Sequence, residues 1–237
     1  MRDAVEPKAG GAVVPSGSLL DRLVMLGEPN GATAEAYREL RTNLRFAPDV
    51  AMVARGGRVY LLADGGGVGD HSAVAGNLGV ACAMAGERVI IVDADLRGTP
   101  NAGSLSALFG HANATEGIAT AVLGPDEDHK VLLPLVETGV PNLLLLPAGG
   151  RGTNPADLLG ADSFGALLAA LRAQADVVLI DAPPVADVAD SRAIAARVDG
   201  VLLLVAQGKT RRPQAQRALA ALEQVGATVL GVVMTET

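Results

Sequence analysis

Asp64-Gly65-Gly66-Gly67-Val68-Gly69-Asp70-His71-Ser72 joins the apolar run Val-Tyr-Leu-Leu-Ala at 59–63 to a small-residue stretch at 72–85. Strand, glycine-rich turn and helix in that order form a phosphate-binding loop, because backbone N–H groups and the first helical turn converge on one anion. The complete motif, G-x-x-x-x-G-K-[ST], adds a lysine for the outer phosphates and a hydroxyl for magnesium. Here Ser72 supplies the hydroxyl, Gly65, Gly66, Gly67 and Gly69 supply the turn, and there is no lysine.

Working outward, strand-like apolar runs at 59–63, 88–92, 142–146, 177–180, 201–205 and 228–234 alternate with helix-length segments. Continuous hydrophobicity implies strands covered on both faces, and the β-helix-β rhythm implies α/β architecture: a doubly wound, mainly parallel sheet with helices on both faces. Ligands then gather at the carboxyl ends of the strands. Two acidic strand ends point there: Val89-Ile-Ile-Val-Asp93-Ala-Asp95-Leu-Arg97 and Val177-Val-Leu-Ile-Asp181-Ala-Pro-Pro184. Carboxylates in such places hold magnesium and orient the attacking group in phosphoryl transfer, or cap the next turn.

Over 32–46, Ala34, Tyr37, Leu40 and Leu44 recur at helical spacing, and Glu35, Arg38 and Arg41 share a second face of the same predicted helix. Residues 1–31, rich in Gly, Pro, Ser and Val without sustained period, are expected to form a flexible N-terminal arm with a short helix around 18–25; residues 32–237 are expected to form a single domain. The stretch 96–141 is expected to hold short helices and a surface loop at Gly124-Pro-Asp-Glu-Asp-His129.

Composition excludes several classes. A net charge of -7 argues against a general nucleic-acid surface. His71, His111 and His129 are scattered and Cys82 is alone, so neither a zinc cluster nor a disulfide framework is expected, and a reducing cytoplasm fits. No apolar run approaches the roughly 18 residues a membrane span needs, so any membrane role requires a tether. Aromatics are 2% of the 237 residues and Trp is absent, leaving a core of Ala, Val, Leu and Ile.

Together these segments resemble the cytoplasmic catalytic domain of bacterial tyrosine kinases (BY-kinases), the capsular and exopolysaccharide group related to the partition ATPases. The matching residues are Glu35-Ala-Tyr-Arg-Glu-Leu-Arg-Thr-Asn-Leu44, the glycine-rich loop with Asn77-Leu78, Val92-Asp-Ala-Asp-Leu-Arg97, Asn154-Pro-Ala-Asp-Leu-Leu159, Ile180-Asp-Ala-Pro-Pro184, Val198-Asp-Gly-Val201 and Gly231-Val-Val233. The resemblance implies that the loop is a Walker A motif, 92–97 a Walker A-prime motif and 180–184 a Walker B motif. It makes Asp93 the base-like residue near the acceptor hydroxyl, Asp95 and Asp181 magnesium-serving carboxylates, and Ser72 the direct magnesium ligand. Glu35, Arg38 and Arg41 match an E-x-x-R-x-x-R pattern similar to a subunit-contact motif of ring-shaped oligomers.

The departures concern chemistry. Counting from Arg58 forward or from Asn77 backward puts His71 at the lysine position and Asp70 at the preceding glycine. A rival register aligns Gly66-Gly-Val-Gly69 with the partition ATPases and puts Asp70 at the lysine. Losing one charged hydrogen bond to phosphate costs about 1.5 to 3 kcal/mol, and a carboxylate in its place adds repulsion. A histidine here is expected to be mostly neutral at neutral pH, and Asp70 is expected to cap the helix N-terminus. Met234-Thr235-Glu236 stands where the family commonly carries an adenine-reading asparagine. Tyr37 and Tyr60 are the only tyrosines, in place of a C-terminal tyrosine cluster, and Gly98-Thr99 shifts the pattern before Pro100.

The expected function is therefore a BY-kinase-like pseudokinase, deficient in ATP binding and needing no cofactor. It would act as a regulatory or scaffold subunit in capsular or exopolysaccharide biosynthesis, docked to a membrane polysaccharide co-polymerase and to itself or a related kinase subunit. Its place would be cytoplasmic, peripheral to the inner membrane. The alternatives are an active tyrosine autokinase using ATP and Mg, its lost charge supplied by Arg97, Lys209, Arg211 or a neighbouring subunit, and a partition-type ATPase.

Overall fold

The structure, a computed structural model, describes residues 21–47, 56–97, 103–123, 131–150 and 154–236. Gly98-Thr99-Pro100, the 124–129 loop and the first twenty residues lie outside them.

In chain order the elements are α1 (Val24–Gly27), α2 (Ala32–Arg45), β1 (Arg58–Asp64), α3 (His71–Met84), β2 (Val89–Asp93), α4 (Leu105–Leu108), α5 (Ile118–Leu123), β3 (Val136–Glu137), β4 (Leu143–Leu146), α6 (Pro155–Gly160), α7 (Asp162–Gln174), β5 (Val177–Ala182), α8 (Ala189–Ala195), β6 (Gly200–Ala206), α9 (Arg212–Gln224) and β7 (Val229–Thr235). Seven strands form one sheet in the order β3-β4-β2-β5-β1-β6-β7. Every pairing is parallel except that of β3 with β4, as the unbroken apolar runs require.

Each face of the sheet carries its own core. On one side Tyr60, Leu62, Ile91 and Leu179 pack with α2, α3 and α4; on the other Leu61, Val92, Ile180 and Leu203 pack with α5 to α9. Helix α3 is apolar all round and almost wholly buried, sandwiched between the sheet and α2. Its Gly79 permits that depth, since a Cβ there would meet Ile91 Cγ2 at 2.7 Å. Ala34 and Leu44 of the α2 stripe are buried, and Tyr37 and Leu40 pack partly buried against the same core.

Residues 21–31, read from the sequence as part of the arm, are built onto this face. Leu23 and Met25 are fully buried. The buried Asn77 of α3 donates to Arg22 O and Ala73 O, both at 2.8 Å, and accepts from Met25 N at 3.0 Å. The described helix of this segment is Val24–Gly27, and residues 18–20 of the helix expected around 18–25 lie outside the described residues.

Candidate functional site

Three neighbouring strands end in carboxylates. Asp64 closes β1, Asp93 closes β2, and Asp181 lies near the end of β5, directly opposite Asp93 in the ladder. All three are essentially buried, at 3%, 2% and 0% exposure, so each must be satisfied by protein groups.

Asp64 Oδ1 accepts from Gly66 N at 2.7 Å and Val68 N at 3.4 Å. This Asx-type turn spends two of the loop's amides on the chain's own carboxylate. Burial raises the Asp64 carboxyl above the ordinary range, while the amides and the charge of His71 pull it back. Gly66 and Gly67 take φ of +106° and +87°, the left-handed region that glycine enters without strain. Thr210 pins the turn from the β6 side, donating from Oγ1 to Gly66 O at 2.6 Å.

Both oxygens of Asp181 are engaged by the two residues that open α3. His71 Nδ1 lies 2.8 Å from Oδ1, and Ser72 Oγ donates to Oδ2 at 2.6 Å. Burial alone would lower the imidazole; the charge and hydrogen bond of Asp181, with Asp64 and Asp95 behind it, outweigh that and push it up to about 9. His71 is therefore protonated at neutral pH, and the neutral ring expected from the sequence is corrected by a partner 110 residues away.

Asp70 occupies the N-cap position of α3 but makes no capping bond. Its carboxylate turns instead to Arg22, whose Nε donates to Oδ2 at 2.9 Å and whose Nη2 donates to Oδ1. The expected cap is thus replaced by an ion pair.

Asp93 Oδ2 accepts from Ser106 N at 2.9 Å and Ser106 Oγ at 2.6 Å, and Oδ1 accepts from Asp95 N at 3.4 Å. Burial and then the nearby Asp181 raise its carboxyl to about 6, against these bonds. Asp95 Oδ1 accepts from Arg97 N at 3.2 Å. The Arg97 guanidinium is committed elsewhere, to the fully buried Asp190 at 2.6 and 2.8 Å. Gly69, His71, Ser72, Asp93, Asp95 and Ser106 all line one cleft of about 410 Å³.

A carboxyl raised by burial disfavours its own ionisation in the fold. For Asp93 this cost is absent below the unfolded value of 3.8, grows with pH, and is complete above about 6. Asp93→Asn is accordingly expected to stabilise the protein by about 1 to 3 kcal/mol at pH 8, a gain that shrinks as pH falls through 6 toward 4. Urea unfolding at both pH values measures it; a loss of stability at pH 8 would contradict the assignment.

Ser72, Asp93, Asp95, Asp181 and the glycine-rich turn converge as the sequence places them. Glu35, Arg38 and Arg41 lie apart on α2: Arg38 pairs with Glu35 at 2.7 Å and also donates to Pro29 O, and Arg41 reaches Ala81 O at 3.3 Å. Sequence reasoning missed Arg22, Ser106 and Asp190. Only Asp64, followed by three glycines, carried a local signal, that of an Asx turn.

No family model matches the chain. The tyrosine-protein kinase YwqD of Bacillus subtilis strain 168 is 31% identical over 219 residues, 92% of this chain and 87% of the relative. The tyrosine-protein kinase wzc of Salmonella typhi is 29% identical over 213 residues, 90% of this chain, but the match spans only 28% of that longer protein. Among solved structures, the BceF tyrosine kinase domain superposes with a TM-score of 0.73 at 27% identity, covering 94% of this chain and 91% of that one. With the sheet order, the carboxylate-ended strands and a relative matched over nearly its full length, this chain belongs to the family of bacterial tyrosine-protein kinases.

Proposed function

We propose that this chain is a family member whose nucleotide loop is closed by its own side chains. It would serve as a regulatory or scaffold subunit of capsular or exopolysaccharide assembly, and the occupied Asp181 carries this reading. A magnesium triphosphate does not fit the side chains as they stand. Both Asp181 oxygens are bonded to the residues that open α3, so His71, which stands at the lysine position, is held on this carboxylate and not extended toward the outer phosphates. Two loop amides are taken by Asp64, and Asp70 adds a carboxylate to a loop that carries no lysine.

An active tyrosine kinase with a variant loop is favoured by one feature: against burial, the Asp181 carboxylate pushes the adjacent His71 imidazole up, toward its charged form. That charge is spent on Asp181. Arg97, one of the rescue cations suggested by the sequence beside Lys209, Arg211 and a neighbouring subunit, is spent on Asp190.

As a subunit, the chain would dock on the cytoplasmic segment of a membrane polysaccharide co-polymerase and associate with itself or an active relative through Glu35, Arg38 and Arg41 of α2. Among the described residues no helix is long and apolar enough to cross a membrane, so the partner provides the tether in this scheme.

Incubation with Mg-ATP and a tyrosine-rich peptide is expected to give no phosphotyrosine. Phosphotyrosine that disappears in Asp93→Ala would establish the active reading instead.

A further inference from the structure

Arg22 reaches the glycine-rich loop from a segment 48 residues earlier in the chain. Its backbone is fixed: Asn77 donates to Arg22 O at 2.8 Å and accepts from Met25 N at 3.0 Å, while Leu23 and Met25 are buried in the core. The guanidinium lies at the rim of the cleft. Nε and Nη2 grip both oxygens of Asp70, and Nη2 also reaches Gly103 O at 3.3 Å. Gly103 lines the cleft together with Gly69, His71 and Ser72, so Arg22 ties one of its walls to the other.

Such a fork binds a carboxylate and a phosphate through the same two parallel N–H bonds. The Arg22 and Asp70 side chains are 25% and 47% exposed, and a pair this open adds little to folding. The segment is already anchored by Asn77, Leu23 and Met25, so the pair is not needed to hold it.

We infer that Arg22 is an oxyanion-facing cation of this loop and that Asp70 is its internal counter-charge, the two forming a latch that excludes the terminal phosphate of a nucleoside diphosphate or triphosphate. The inference rests on the closed-loop reading above and names the contact that does the closing. Removing the carboxylate leaves the fork in place and converts the latch into a phosphate contact.

Titration calorimetry with Mg-ADP tests this on the whole chain, comparing wild type, Asp70→Gly and the isosteric Asp70→Asn, each alone and combined with Arg22→Ala. Melting curves confirm that every variant is folded, and Asp70→Asn keeps the test available should the glycine variant lose its fold. Asp70→Gly and Asp70→Asn are expected to bind at least tenfold tighter than wild type, and Arg22→Ala is expected to abolish that gain. Absence of a gain, or a gain that survives Arg22→Ala, overturns the latch. Micromolar binding by wild type defeats the closed-loop reading separately; the role of Arg22 then stands if Arg22→Ala weakens that binding tenfold and falls if it does not.

Discussion

Asp70→Gly combined with His71→Lys is expected to tighten Mg-ATP binding by roughly a hundredfold or more relative to wild type. The glycine removes a carboxylate from the loop and releases Arg22 from its pair with Asp70. The lysine restores a flexible ammonium that can extend to the outer phosphates, a charged hydrogen bond contributing about 1.5 to 3 kcal/mol. A histidine cannot do this from the same position, because its charged ring is short and held on Asp181 at 2.8 Å. Losing that ring also frees one oxygen of Asp181. An affinity within threefold of wild type, in a variant that melts normally, would show that the missing lysine and the added aspartate are not what closes the site.

Gly117→Ala is expected to destabilise the fold by about 3 kcal/mol, lowering the melting temperature by roughly 6 to 12 °C for a chain of this size. A Cβ at Gly117 would stand 2.3 Å from Pro147 O and 2.5 Å from Gly149 N, both backbone atoms that cannot swing aside. Gly149 is itself at φ +77°, so the two glycines meet back to back where α5 begins beside the end of β4. Ile118 N donates to Pro147 O at 3.1 Å and Gly150 N to Thr115 O at 3.0 Å, and Thr115, Gly149 and Gly150 beside these bonds line the cleft. Gly160→Ala is the control, since nothing lies within 4 Å of its Cβ position. Equal melting temperatures for the two variants would mean that the contact is relieved at no cost.

What was legible in the sequence was whatever is local or periodic. The six long strands announce themselves as unbroken Val, Leu and Ile runs, and α2 by its Ala34, Tyr37, Leu40 and Leu44 spacing. Asp93 and Asp181 follow because a carboxylate ending a buried parallel strand has only the ligand crevice to face. The two-residue β3 escaped, since Val136–Glu137 is too short to carry a period and pairs antiparallel at the sheet edge.

The electrostatic state of the site was not legible, because its partners are distant in sequence. His71 meets Asp181 across 110 positions, Arg97 meets Asp190 across 93, and Arg22 meets Asp70 across 48. Each pair reverses an inference drawn from one residue alone: the histidine is charged, the rescue arginine is committed, and the would-be helix cap is an ion-pair partner. Burial makes these pairs compulsory at Asp181 and Asp190, which have no exposed surface and cannot be left without counter-charge or hydrogen bonds.

Titration of the wild-type chain with ATP and magnesium at neutral pH is the decisive measurement. The proposed closure of the loop by Asp64, Asp70, His71 and Asp181 predicts no saturable binding below the millimolar range; a dissociation constant in the micromolar range would show that the loop opens for nucleotide and would contradict that closure.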